Sequence, residues 1–205
     1  MPLTLYALKP RFQALLRPLV GGMAAAGITA NQATVAAAAV SVALGLLLAA
    51  FGGDHPALFA LLPAWLALRM GLNAIDGMLA REFGQGSRLG AFLNELGDLV
   101  SDAALYLPFA VLAPFQPGWV AAVVVLAMVG ETAGILGQTI AAERRYDGPL
   151  GKSDRALVFG AIALWAALAP LPDWLGWAMP ALAALAALGI VNRVRRALAQ
   201  AEGRS

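Results

Sequence analysis

Apolar runs long enough to cross a membrane alternate with short polar, Gly-rich or Pro-rich turns along most of the chain. A helix needs roughly 20 residues to cross the hydrocarbon core of a bilayer. Six runs approach or exceed that length, at residues 32–52, 57–80, 89–113, 118–142, 155–171 and 174–193. The pattern predicts an all-α integral membrane protein with six transmembrane helices, folded as one domain over 1–205 with the bundle at 32–199.

The residues before the first run have an amphipathic pattern of their own. In the arm at 1–24, Lys9 and Arg17 lie off a 3.6-residue apolar repeat. The apolar positions are Leu5, Leu8, Phe12, Leu15, Leu16 and Leu19. We expect a juxtamembrane amphipathic helix that lies along the headgroup layer, or alternatively one that packs on the bundle. Because Lys9, Arg11 and Arg17 interrupt the apolar run that a signal peptide needs, no cleaved leader is expected.

The composition agrees with a membrane protein and narrows the chemistry. Of the 205 residues, 60% are hydrophobic and 13% are charged, far from an ordinary soluble domain. The chain has no cysteine, and its one histidine, His55, lies in a predicted outer loop, so a metal ion would be bound by oxygen ligands. The net charge is only +2 and the basic residues flank apolar runs. We therefore expect contacts with membrane lipids and no nucleic acid binding.

The positive charges indicate an orientation for the predicted helices. The first, third and fifth loops contain no Lys or Arg, whereas the arm, the second and fourth loops and the C-terminal tail contain nearly all of them. The positive-inside rule then places both termini in the cytoplasm, which an even number of spans requires. The sequence therefore predicts a multi-pass protein of a bacterial-type inner (plasma) membrane.

Residues 72–103 concentrate ionisable and amide side chains within otherwise apolar surroundings. On the second predicted span, one face would carry Asn73, Asp76, Gly77, Ala80 and Arg81. On the third, one stripe would carry Gly90, Asn94, Asp98 and Asp102. Glu95 would lie about a quarter-turn away from that stripe. Two polar faces thus converge near the predicted cytoplasmic end of a helical hairpin.

These acids need a counter-charge, because unpaired carboxylates are costly within a bilayer. Asp76, Asp98 and neighbouring Asn oxygens would suit a hard divalent cation such as Mg²⁺, Mn²⁺ or Ca²⁺. Gly77 and Ala80 leave room beside the acids for a bulky ligand, and Arg81 suits a phosphate. Alternatively, the acids only form salt bridges that hold the helices together, with partners drawn from Arg69, Arg81 and Arg88.

Two segments resemble a known family signature. They are N-A-I-D-G-M-L-A-R at 73–81 and, eight residues later, G-A-F-L-N-E-L-G-D at 90–98. They are similar to the CDP-alcohol phosphotransferase signature, D-x-x-D-G-x-x-A-R followed by G-x-x-x-D-x-x-x-D. The segment G-I-T-A-N-Q-A-T at 27–34 is similar to the I-T-P-N-x-x-T opening before the family's first span. The six-helix layout with a juxtamembrane helix is also that family's plan.

The resemblance implies transfer of a phospho-alcohol unit from a CDP-linked donor to a hydroxyl acceptor, with release of CMP. It implies Asp98 as general base and a Mg²⁺ or Mn²⁺ site formed by Asp76, Asp98, Asn73 and Asn94. The donor would be bound by Asn73, Asp76, Gly77, Ala80, Arg81 and Gly90. A site open to the cytoplasm favours CDP-diacylglycerol, although CDP-choline and CDP-ethanolamine are not excluded. Relatives form homodimers, so a homodimer is expected.

Two positions depart from the signature. Asn73 and Asn94 replace its first and third Asp, and an amide keeps one oxygen ligand but loses the charge. The nearby acids Glu95 and Asp102 could compensate, or one metal ion could suffice. Catalysis could also have been lost, which would leave a CDP-lipid-binding protein.

The predicted fourth loop supplies candidates for binding the acceptor. Its cations are Arg144, Arg145, Lys152 and Arg155. They would suit the phosphate of an acceptor such as glycerol 3-phosphate or inositol phosphate. Positive-inside topology alone would also place cations there.

Glu131 in the fourth span is a further functional candidate, because acids within a membrane often mark functional sites. It could instead bond a neighbouring helix, with Arg69 as its partner. A cation-coupled transporter lined by Asp76, Asp98 and Asp102 is a third class of function. It is disfavoured, because the two halves of the chain show no convincing repeat.

Overall fold

Helices make up the regular structure in the computed structural model, which describes residues 5–141 and 143–203, with side chains for 12–140 and 143–203. The α-helices are α1 (Leu5–Ala25), α2 (Ala30–Phe51), α3 (Leu61–Glu82), α4 (Arg88–Tyr106), α5 (Pro117–Ala141), α6 (Lys152–Leu168) and α7 (Ala178–Glu202). Short 3₁₀ helices occupy Pro56–Ala60, Leu107–Val111 and Asp173–Trp177. The prediction of an all-α fold is therefore confirmed, and each apolar run contains a helix.

Four helices of the described chain are long and apolar enough to cross a membrane. They lie at Ala30–Phe51, Pro56–Glu82, Pro117–Ile140 and Asp173–Glu202. The other two apolar runs give shorter or more polar helices: α4 carries Arg88, Glu95, Asp98 and Asp102. Helix α6 has 17 residues, which is about 25 Å of helix and less than a typical hydrocarbon core. The count of six spans and their orientation stay predictions.

The described chain divides into two compact units. The first comprises the residues up to Val40 together with Ala67–Val100, and the second comprises Ser41–Leu66 and the residues from Ser101 onward. The core of the first unit is small and joins α1, α2 and α3 through Val20, Ala30, Ile75, Met78 and Leu79. Each of the two units therefore has a buried cluster of its own.

Helix α1 presents apolar side chains both to this core and away from it. Val20 is fully buried, whereas Leu15 is 76% exposed and Phe12 and Leu19 are also exposed. Arg17 is bonded to Glu82 at the end of α3, with 2.9 Å between Nε and Oε2. The helix thus packs against α2 and α3 within the first unit and leaves an apolar strip uncovered. This strip is compatible with the predicted contact with lipid. Leu5, Leu8, Lys9 and Arg11 lie outside the described side chains.

The second unit has a large aromatic core. Tyr106 stacks on Phe159 with 4.2 Å between ring centroids, and Phe109 meets Phe59 and Phe159 edge-on at 5.1 and 4.9 Å. Helices α5 and α7 pack closely because Gly130 faces Ile190 without a side chain between them. Dense packing of this kind gives α5, α6 and α7 a fixed framework for the polar groups that they bury.

Gly45 allows α2 to approach the backbone of α4 within the second unit. A Cβ at this position would overlap the carbonyl group of Ala104. We expect Gly45→Ala to destabilise the protein by about 1–3 kcal/mol, because the backbone of α4 would have to shift. Thermal unfolding in detergent micelles measures the change. Gly21→Ala is the control, since a Cβ there meets no atom within 4 Å, and helix propensity should make it neutral or stabilising. A Gly45→Ala protein that unfolds like the wild type would contradict the packing argument.

Candidate active site

A cavity of about 350 Å³ lies along the polar face of α3 within the first unit. The residues that α3 contributes to its lining are Asn73, Asp76, Gly77, Ala80 and Arg81. They share this face because their spacing follows the helical repeat. Asp76 is only 7% exposed, so its carboxylate lies at the cavity with little access to bulk solvent.

The beginning of α4 and the preceding loop form a second part of the lining. The residues are Gln85, Gly86, Ser87, Gly90, Ala91 and Asn94. Ser87 caps α4, since its Oγ accepts a 2.9 Å hydrogen bond from the N–H of Gly90. Gly84 turns the chain between α3 and this cap with φ of +67°, a left-handed conformation that favours glycine.

The beginning of α2 supplies the third part, through Ala30, Asn31 and Thr34. Thr29 and Gln32 form a reciprocal capping box: Thr29 Oγ1 accepts from the N–H of Gln32 at 3.2 Å, and Gln32 Oε1 accepts from the N–H of Thr29 at 2.9 Å. Gln85 Oε1 also accepts from the N–H of Ala30 at 2.7 Å. The N-termini of α2 and α4, with their positive dipole ends, therefore both border the cavity.

Direct contacts hold the polar groups of these helices in place. Thr34 Oγ1 lies 2.9 Å from Asp76 Oδ2 and 3.0 Å from the carbonyl oxygen of Ala30, and its one hydrogen can be donated to either acceptor. A Cβ on Gly90 would lie 2.7 Å from Asn31 Oδ1, so glycine at this position lets the amide of α2 approach α4. These contacts fix the relative positions of α2, α3 and α4 at the cavity.

Arg81 is the cation of this cavity. Its guanidinium group lies beside Gly77, where a Cβ would be 2.9 Å from one of the terminal nitrogens of Arg81. Among the residues that the structure describes, Arg81 forms no hydrogen bond or ion pair. An exposed guanidinium group next to two helix N-termini is well suited to bind phosphate.

Asp98 is held by an arginine and does not line the cavity. Arg69 Nη2 donates to Asp98 Oδ1 at 2.9 Å and to the Asp98 carbonyl oxygen at 3.2 Å. The side chain of Arg69 is 5% exposed and that of Asp98 is 24% exposed. The salt-bridge alternative named Arg69, Arg81 and Arg88 as partners for the acids of residues 72–103. In the described part of the chain, only Arg69 of these three forms an ion pair with one of those acids.

The cavity brings together three of the four expected metal ligands, namely Asn73, Asp76 and Asn94. A carboxylate and amide oxygens are hard donors, so this set fits one hard divalent cation. No group of three His, Cys, Asp or Glu side chains that could hold a metal occurs in the described ranges. Glu95 is half-buried on α4 and is not part of the lining.

A second charge cluster is buried in the second unit. Glu131 of α5 lies 3.1 Å from Arg155, 3.4 Å from Arg193 and 3.5 Å from Arg144. Arg155 also donates to Asp102 at 3.0 Å. Glu131 therefore bonds neighbouring helices, as one of its two alternatives predicted, but the suggested partner Arg69 was wrong. Three other arginines, two of them at most 4% exposed, supply its counter-charge.

The remaining acceptor candidates lie near the start of α6. Arg145 is bonded to Asp147 at 2.7 Å, and Arg196 of α7 reaches the other oxygen of Asp147 at 2.8 Å. Burial alone would raise the pKa of Asp147, but Arg145 and Arg196 outweigh it and hold the pKa below its usual value. Lys152 is the first residue of α6 and is half-buried.

The capping box at the start of α2 should support the wall of the cavity. We expect Thr29→Ala to cost about 1 kcal/mol and to increase amide exchange at Gln32, because the N–H of Gln32 loses its acceptor. Thermal unfolding and hydrogen exchange in nanodiscs measure the two effects. Thr132→Ala is the matched control, since Thr132 is exposed and bonds only to Met128 of its own helix. Equal effects of the two substitutions would argue against the cap.

The chain is similar to proteins of one family over most of its length. A profile of the family described as CDP-alcohol phosphatidyltransferase matches residues 27–190. The inner membrane protein YnbA of Escherichia coli is 50% identical over 85% of each chain. A phosphatidylinositol phosphate synthase of Corynebacterium glutamicum is 34% identical, over 51% of this chain and 45% of the synthase.

Solved structures show the same fold. In the crystal structure of Mycobacterium tuberculosis phosphatidylinositol phosphate synthase with manganese and citrate, the match covers 88% of each chain, with a TM-score of 0.72 and 23% identity. The structure of that synthase with CDP-DAG bound matches with a TM-score of 0.68 and 23% identity, over 88% of this chain and 92% of the synthase. The chain therefore belongs to the CDP-alcohol phosphatidyltransferase family, and it is a transferase.

Proposed function

We propose that this protein transfers a phosphatidyl group from CDP-diacylglycerol to a small hydroxyl acceptor and releases CMP, in a reaction that depends on a divalent metal ion. The observation that carries the proposal is the cavity of the first unit, which combines Asp76, four amide side chains and Arg81 with two helix N-termini. The Mycobacterium tuberculosis synthase with CDP-DAG bound has the same fold, which supports the choice of donor.

The donor would bind through its phosphates. Arg81 supplies a positive charge and hydrogen-bond donors, and the N-terminal dipole ends of α2 and α4 add positive potential. Gly77 and Ala80 keep this face of α3 free of long side chains. The nucleotide would therefore approach the backbone of α3, while the apolar tails remain in lipid.

Asp76, Asn73 and Asn94 would hold Mg²⁺ or Mn²⁺, as the structural relative crystallised with manganese suggests. When bound, the ion would neutralise charge that develops on the phosphate oxygens and on the leaving CMP. Asp98 would act as general base and accept the proton of the acceptor hydroxyl. The hydroxyl oxygen then forms a bond to the donor phosphorus, and the bond from that phosphorus to the oxygen of CMP breaks.

The acceptor would carry a phosphate, as in glycerol 3-phosphate or inositol phosphate. Support comes from the buried cluster of the second unit, where three guanidinium groups meet the two carboxylates of Glu131 and Asp102. This leaves one excess positive charge within the cluster. Because Arg155 and Arg193 are nearly inaccessible, the half-buried Arg144 and Lys152 are the cations better placed to reach a ligand.

The setting would be a bacterial-type inner membrane, with both termini and the site on the cytoplasmic side, and with the protein as a homodimer. The name of the Escherichia coli relative supports the membrane, and the distribution of cations supports the orientation. A protein that binds CDP-lipid without catalysis is the second candidate. The two Asn residues of the signature and the Arg69–Asp98 ion pair favour it.

Release of CMP tests the reaction directly. We expect purified protein in nanodiscs to release CMP from CDP-diacylglycerol when Mg²⁺ or Mn²⁺ and a suitable alcohol are present. Asp98→Asn should lower the rate by about 10²–10⁴-fold, because the amide cannot accept the proton. Asp54→Asn, in an exposed loop, should leave the rate unchanged. Binding of CDP-diacylglycerol without CMP release from any acceptor would favour the second candidate. Cation flux into vesicles without release of CMP would favour a transporter.

If Lys152 binds the phosphate of the acceptor, its substitution should change KM for the acceptor and not KM for the donor. We expect Lys152→Met to raise KM for glycerol 3-phosphate by about tenfold or more, because one charge-assisted hydrogen bond is lost. The KM for CDP-diacylglycerol should not change. Arg195→Met removes a cation from an exposed position of α7 and serves as control for net charge. A preference of the wild type for unphosphorylated alcohols would contradict this part of the proposal.

A further inference from the structure

Arg69 is a charged residue in a place that requires an explanation. It lies in the middle of the candidate membrane span Pro56–Glu82, and it is only 4% exposed. An arginine within a span is costly unless an acid or other acceptors compensate it. Arg69 precedes the family signature, which begins at Asn73. The signature therefore assigns no role to Arg69.

The structure shows which group compensates Arg69. Its Nη2 atom bonds both the carboxylate and the carbonyl oxygen of Asp98, at 2.9 and 3.2 Å. A charge-assisted hydrogen bond in surroundings this poor in water is strong. The Oδ1 atom of Asp98 is therefore committed to a guanidinium group. A metal ion that used this oxygen would have to displace a buried positive charge.

The residues at the other Asp positions of the signature also favour a single bound cation. At positions 73 and 94 the chain has asparagine, which offers an amide oxygen but no negative charge. Asp76 is then the one carboxylate of the signature that lines the cavity. This donor set suits one divalent cation. A second one would find Asp98 already bonded to Arg69 and would be repelled by it.

We propose that this protein holds a single divalent cation, bound by Asp76 with the amide oxygens of Asn73 and Asn94. The guanidinium group of Arg69 supplies the fixed positive charge at Asp98, in place of a second metal ion. The proposal rests on the proposed function and deepens it. Arg69 acts as a positioning residue, because its two hydrogen bonds orient the carboxylate of Asp98.

The number of bound ions is the first test, and it needs no turnover. Purified protein in nanodiscs is titrated with Mn²⁺, and free Mn²⁺ is followed by electron paramagnetic resonance. We expect one Mn²⁺ per chain in the wild type and none in Asp76→Asn. Arg17→Gln is the matched control, because Arg17 also pairs with a carboxylate of the first unit but is exposed, and it should bind one. Two ions per wild-type chain, or none, would overturn the proposal.

Substitution of Asn73 and Asn94 by Asp tests whether Arg69 prevents the binding of a second metal ion. With Arg69 present, the double variant N73D/N94D should still bind one Mn²⁺, more tightly than the wild type. The triple variant R69Q/N73D/N94D should bind two. Binding of two ions by the double variant would overturn the proposal, as would binding of one by a folded triple variant. If the triple variant does not fold, the double variant decides.

The kinetics of Arg69 variants separate positioning from a purely structural role. Arg69→Gln should lower kcat for CMP release by about 10–100-fold and leave KM for CDP-diacylglycerol unchanged. Arg69→Lys keeps the charge and should retain most of the rate. Equal losses in the two variants, or a change confined to KM, would count against positioning. One Mn²⁺ per chain without CMP release would refute the proposed function alone, whereas CMP release with two Mn²⁺ per chain would refute this inference alone.

Discussion

Local neutralisation of buried charge is the constraint on which the polar parts of this protein depend. An apolar chain that crosses a bilayer cannot leave an acid or an arginine without a partner, because little water is present to solvate it. Asp98 is neutralised by Arg69 in the first unit, and Glu131 and Asp102 are neutralised by arginines in the second. Arg81 at the cavity is exposed, so water can solvate its guanidinium group, which forms no ion pair in the described chain.

The two units differ in what they bury. The first has a small core and an open cavity bordered by helix ends, and such an arrangement suits a large nucleotide. The second has a dense aromatic core around paired charges, which fixes a compact set of cations. Polar groups in the second unit are therefore rigid and mostly enclosed, while those of the first are accessible from outside.

Much of the fold and of the cavity could be predicted from sequence, because helical spacing alone places Asn73, Asp76, Gly77, Ala80 and Arg81 on one face. The contribution of α2 was missed, although the pattern T-x-x-Q at 29–32 signals a capping box. The sequence offers several arginines as partners for each acid, and it does not indicate that Asp98 pairs with Arg69 or Glu131 with Arg193. Spacing along a chain predicts faces of a helix, but it does not predict which side chains meet across different helices.

The helix ends at the cavity have a consequence for how such proteins diverge. Their positive dipoles belong to the main chain, and the side chains of Thr29, Gln85 and Ser87 cap them. Substitution of acidic side chains would therefore change the donor set of the cavity while these helix ends stay in place. Two properties of the cavity, its side-chain donor set and its main-chain dipoles, can thus vary separately among descendants of one sequence.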